Sequence, residues 1–136
     1  MGQIEISRCT TEGYSPLSIH EGWQAAYLTT VSEHNLDDLV NMEVHQMTDE
    51  LFILLKGGAV LLTAEYGDEK KFQAVGMEPY VMYNIPKGVW HNIAMAPDTL
   101  LLIVEKDGTH LHDVRYTPFD GDDAEVVKGL IKTAII

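Results

Sequence analysis

The chain has 136 residues, within the range of one domain that buries its own core without staples. Its 21 Asp plus Glu against 9 Lys plus Arg give a formal charge of −12, a field that repels phosphate backbones and anionic lipid, so nucleic acid and membrane are not expected partners. The single cysteine, Cys9, excludes an intramolecular disulfide and a cysteine-rich zinc site, and is expected as a small apolar side chain in or near the core.

The first ten residues are polar and lack the charged-then-apolar layout of a signal peptide. No apolar run approaches the ~18 residues of a membrane span, so a cytoplasmic protein is expected. Strands are predicted over residues 4–7 and 23–31, around a Gly13-Tyr-Ser-Pro16 turn, and residues 32–38 read as a loop. From Gly57-Gly58 onward turn signals recur about every ten residues, at Gly67-Asp68, Glu78-Pro79, Pro86-Lys-Gly88, Pro97-Asp98 and Asp107-Gly108. Between them, residues 51–55, 59–64, 80–85 and 100–104 are rich in Val, Ile, Leu, Phe and Tyr and too short for typical helices. This is the pattern of an all-β sandwich or barrel. After Phe119, acidic Asp120-Gly-Asp-Asp123 suits the first turn of a short C-terminal helix. Val126, Val127, Leu130, Ile131 and Ala134 then share one face, against the helix-weakening Gly129. No repeat, low-complexity tract or linker divides residues 1–136, so one domain is expected.

Two clusters carry the chemistry. Glu43 and His45 are two apart, so on a strand both point to the same face. Glu50 opens the next strand with Phe52 and Leu54 on its face, a carboxylate at the mouth of an apolar wall that needs a metal ion or a hydrogen-bonded neighbour. Pro86-Lys-Gly88 supplies a tight turn that delivers His91 onto the following strand, with Trp90 on the opposite face. His110-x-His112 has the spacing of a ligand pair but lies outside both clusters, and a solvated turn or edge strand is expected there. His20 and His34 are expected at the surface. Trp23, Phe52, Tyr83 and Trp90 are expected as core or wall, and Met42, Met47, Met77, Met82 and Met95 as fillers of an apolar interior. Lys87 reads as an exposed turn residue.

These clusters resemble the two motifs of a small single-domain cupin. Glu43-x-His45, four residues, Glu50, six residues and Gly57 match the first motif, with Glu in place of its leading His. Pro86-x-Gly88, two residues and His91 match the second. Tyr80 stands where the family has a Gly before the Pro, and Met95 where it has an Asn after the His. A register setting His45 and Met47 on the two family histidines leaves too few residues before Glu50. The resemblance covers about residues 40–105.

It implies a cupin-type jelly-roll (double-stranded β-helix) barrel, and a homodimer in contact through the N-terminal strands. It also implies one divalent metal, Mn, Fe, Ni or Zn, on His45, Glu50 and His91, with Glu43 as fourth ligand or as general base. Two functions follow. One is a metal-dependent isomerase, lyase or oxygenase acting on a small polar molecule, with Glu43 or Glu50 as the catalytic carboxylate. The other is a metal-free, non-catalytic binder of a small molecule.

Overall fold

The computed structural model describes residues 3–135. Ten strands run in chain order: β1 Tyr14–His20, β2 Trp23–Thr29, β3 Asn41–Val44, β4 Glu50–Lys56, β5 Ala59–Tyr66, β6 Lys70–Gly76, β7 Met82–Ile85, β8 Trp90–Met95, β9 Leu100–Glu105 and β10 Arg115–Pro118. They form two five-stranded antiparallel sheets, one ordered β1-β2-β9-β4-β7 and the other β10-β3-β8-β5-β6. Strands adjacent in sequence therefore often lie in opposite sheets, which is what makes the jelly roll a closed sandwich. A single helical turn, α1 (Thr109–His112), lies between β9 and β10, and α2 (Asp123–Ala134) ends the chain.

Between the sheets, Leu28, Phe52, Leu54, Leu61, Ile93, Met95, Leu101 and Ile103 form one buried cluster. The second sheet is covered on its other face too, where Met42, Val60, Leu62, Ala64 and Ala94 pack with Val127 and Ile131 of α2. That double coverage explains why most residues of β5 and nearly all of β8 are buried in unbroken runs, whereas β9 alternates buried and half-buried residues. Lys70 clamps the start of α2 to β6, donating to Asp120 at 2.6 Å and to Asp123 at 2.9 Å.

Several sequence expectations need correction. Residues 4–7 form no strand; the first strand begins at Tyr14, inside the stretch read as a turn, and Pro16 is accommodated by a register shift between Pro16 and Ser18. Residues 80 and 81 precede β7, because Tyr80 takes φ 66°. Strands β6 and β10 were not anticipated: β6 has few buried residues and β10 is polar, so neither carries a strong apolar run. Met47 and Met82 are exposed rather than interior, whereas Met42 and Met95 are fully buried and Met77 is buried. Trp23 is exposed at the surface, stacked on His20 with ring centroids 4.6 Å apart. Cys9 lies outside both core clusters, its thiol donating to the carbonyl of Thr11.

Candidate metal and ligand site

Glu43 on β3 and His91 on β8 are direct cross-strand partners, so their side chains leave the second sheet side by side. His45 follows one residue after β3, and Glu50 begins β4 in the facing sheet. The two sheets thus bring both sequence clusters to one point between them. The ligand atoms of Glu43, His45, Glu50 and His91 all lie within 4.8 Å of one another. His45, Glu50 and His91 are buried, and Glu43 is the outermost of the four, with its side chain 23% exposed.

Both imidazoles are aimed by backbone. His45 Nδ1–H donates to the carbonyl of Asp113 at 2.7 Å, and His91 Nδ1–H donates to the carbonyl of Val89 at 2.9 Å. A carbonyl only accepts, so each Nδ1 carries a proton and each Nε2 faces the cluster. Without an ion, those Nε2 atoms bond to one oxygen, Glu50 Oε1, at 3.1 and 2.8 Å. His91 Nε2 is 3.8 Å from Glu43 Oε1.

The charges follow from this geometry. Burial disfavours the Glu50 carboxylate, but the hydrogen bonds from His45 and His91 outweigh it and hold the group below the usual carboxylate range. Burial likewise works against the His45 and His91 cations, and Glu50 more than compensates, raising both. Glu43 is raised by burial and then by the Glu50 charge.

Two aspartates hold the supporting loops. Asp113 accepts from the Gln46 and Met47 amides at 2.9 and 2.8 Å, fixing the chain just after His45. Asp49 accepts from the Lys87 amide and from Asn84 Nδ2, and is lowered by those bonds. The Gly88 amide donates to the His45 carbonyl at 2.7 Å. The Pro-Lys-Gly turn is therefore tied directly to the first motif. Trp90 faces away from His91 and packs against the cluster under α2, as strand alternation predicts.

The four donors open into a cavity of about 520 Å³ walled by Leu28, Phe52, Ile93 and Ile103. The sequence reading missed several polar residues that also line it. Glu105, the last residue of β9, is 5% exposed, and its Oε2 has no hydrogen-bond partner among the described residues. Burial and the Glu50 charge raise its pKa. Tyr14 is held far above its ordinary value by burial and by Glu105. The period-two pattern Leu101, Ile103, Glu105 carried the signal for Glu105, since every other residue of β9 faces inward. His34 and His110, expected at the surface or in a solvated turn, both line the cavity. His112 points elsewhere and does not, so the His-x-His spacing marks no ligand pair.

No protein-family model matches the chain, and no curated protein matches it either. Solved structures do resemble it. They include a cupin-2 domain protein from Shewanella frigidimarina, at 20% identity over 72% of this chain and 84% of that one, with TM-score 0.48. BH2720 from Bacillus halodurans is similar at 15% identity over 85% and 83%, with TM-score 0.53. Hydroquinone 1,2-dioxygenase from Sphingomonas, solved with 4-hydroxybenzoate bound, is similar at 7% identity over 73% and 68%, with TM-score 0.55.

The chain has the cupin fold. In this chain Glu43, at the head of the first sequence cluster, sits beside His91 of the second, so that corner keeps a metal-capable donor. Two imidazole nitrogens and two carboxylate oxygens, with both imidazoles oriented by carbonyls, are a donor set that fits Mn, Fe, Ni or Zn. No described helix is long and apolar enough to cross a membrane.

Proposed function

We propose that this cupin is a divalent-metal-dependent enzyme acting on a small polar molecule held in the cavity. The observation that carries the reading is the convergence of four ligand atoms within 4.8 Å, two of them imidazole Nε2 atoms already aimed at the cluster by carbonyls on Nδ1. His45, Glu50 and His91 are the inner ligands, and Glu43 is the fourth donor. A bound ion would supply Lewis acidity toward a carbonyl or hydroxyl of the substrate. Glu43 is the more exposed of the two donor carboxylates, and burial together with Glu50 raises its affinity for a proton, which suits it to hold or move one at the substrate. Phe52, Leu28 and Ile103 keep bulk water from the reacting face. Isomerase, lyase and oxygenase chemistry all remain compatible with these groups.

One observation favours the alternative of a metal-free binding protein. Glu50 is already satisfied by two imidazoles, so the cluster is electrostatically complete without an ion. The melting temperature of metal-stripped protein, with and without each ion, separates the two. The enzyme reading expects a rise with at least one of Mn, Fe(II), Ni or Zn that is lost in His91→Gln and in His45→Gln. The metal-induced change is the readout, because either substitution also removes a partner of buried Glu50 and lowers the metal-free melting point. Equal changes in parent and variants would sink the ligand assignment.

A further inference from the structure

Both walls of the cavity change from polar to apolar within a single pleat. Residues two apart on a strand share a face, so Phe52 follows Glu50 on β4 and Ile93 follows His91 on β8, each lining the same cavity as its neighbour. Ile103 is the cross-strand partner of Phe52 and stands two residues before Glu105 on β9. Phe52, Ile93 and Ile103 therefore form an apolar row one pleat, about 7 Å along the strands, from the metal donors. Phe52 meets His91 edge to face, with ring centroids 6.2 Å apart.

The polar side chains beside that row are tied to the wall. Asn92 Nδ2 donates to the Asn41 carbonyl at 2.8 Å, and His34 Nδ1–H donates to the Ile93 carbonyl at 3.1 Å. Gln24 Nε2 donates to the Tyr14 hydroxyl at 2.9 Å and to His110 Nδ1 at 3.0 Å. A molecule carrying hydroxyls along its whole length would lose water from them against Phe52, Ile93 and Ile103 and gain no partner there. At the mouth the surface is apolar again, since Tyr116 and Val40 line the cavity while 60% and 66% exposed. Tyr116 is the cross-strand partner of Glu43, so its ring stands beside the outermost donor with area to offer a ligand.

We propose that the site takes a small hydroxy- or oxo-compound that is polar at one end only, with that head at Glu43, His45, Glu50 and His91 and an apolar, ring-sized body on Phe52, Ile93 and Ile103, bordered by Tyr116. A cavity of about 520 Å³ has room for a ring as well as a head. Aryl hydroxy- and oxo-compounds fit this division, and sugars do not. The inference deepens the enzyme reading by naming the body of its substrate, and rests on that reading for turnover but not for the apolar contact.

Three neutral amides share a 2-hydroxy-carbonyl head and differ in body: mandelamide carries phenyl, lactamide methyl and glyceramide hydroxymethyl. Ligand-observed NMR on the full chain, metal-loaded and metal-stripped, ranks them. Mandelamide is expected to bind about tenfold or more tighter than glyceramide, with lactamide between them. Ile103→Thr, which sets a hydroxyl in the apolar row, cuts that preference about threefold or more. Tyr116→Ala, at an exposed position, cuts it as well and decides alone if Ile103→Thr has lost its melting transition. Glyceramide bound as tightly as mandelamide, a preference unchanged in the folded variants, or no binding by any of the three overturns the inference. If the protein takes up no metal yet keeps the preference, the metalloenzyme reading fails and the apolar contact stands. If it takes up metal but shows no preference, only the apolar contact fails.

Discussion

At the scale of single residues, the backbone carbonyls of Asp113 and Val89 decide what the site histidines can do. By fixing protons on both Nδ1 atoms they leave Nε2 as the only position that can carry either a proton for Glu50 or a metal. His45, raised to about 9 from 6.5 in the metal-free protein, adds stability that is fully present below pH 6.5 and is lost as pH rises through about 9. Metal must displace those Nε2 protons, so the melting-point gain on adding metal is expected to be larger at pH 8 than at pH 6, as a titration across that range would read. A gain that shrinks with rising pH would argue against binding at these nitrogens. Glu43→Gln replaces the outermost donor by a neutral one, and is expected to weaken metal binding about tenfold where His91→Gln abolishes it. Unchanged affinity with lost turnover would instead make Glu43 a base outside the coordination sphere. These four residues were legible in the sequence because strand alternation and motif spacing act over short distances. Gln24 and His110 were not legible, since their roles arise from a contact between residues 86 positions apart.

At the scale of elements, two backbone positions explain features of the motifs. Gly57 turns the chain between β4 and β5 at φ 87°, and an added Cβ there would lie 2.7 Å from Thr99 Cα. Gly57→Ala is therefore expected to destabilise the protein by roughly 2–4 kcal/mol in denaturant unfolding, combining left-handed strain with a clash against backbone. Tyr80 takes φ 66° where the family carries Gly, and its side chain is exposed. Tyr80→Gly is expected to stabilise by about 1 kcal/mol, since the left-handed strain is relieved at no packing cost. A destabilised Tyr80→Gly would mean that the aromatic ring is held by a contact. The helix start has its own pH signature. Asp123 is lowered by the Asp120 amide and then by Lys70, so its stabilisation is present above pH 3.8 and is lost as pH falls below that value. Asp123→Asn should flatten the acid-induced loss of helical signal in circular dichroism. Strands with strong apolar runs were readable from the sequence, as was α2 from its apolar face. Polar β10 acquires its strand state from pairing with β3, a tertiary contact without local signal, and residues 4–7 have strand-forming side chains but no described sheet partner.

At the scale of the whole molecule, the two sheets act as jaws: β3 and β8 carry Glu43 and His91, while β4 and β9 carry Glu50 and Glu105 on the opposing side. The apolar cluster deeper between the sheets holds that separation, so the donors converge without a metal to gather them. Both sheets keep open edge strands, and Ile19 and Trp23 are exposed on the β1–β2 hairpin. The expected homodimer would cover this region, and sedimentation at micromolar concentration should then read about twice 15.2 kDa. A species of 15.2 kDa alone would contradict it. The four convergent donors are expected to hold one ion. Elemental analysis by mass spectrometry of the protein purified without chelators tests it most directly. Near-stoichiometric Mn, Fe, Ni or Zn that disappears in His91→Gln is the expected result. Protein that contains no metal, and still takes up none after incubation with each ion, would contradict it.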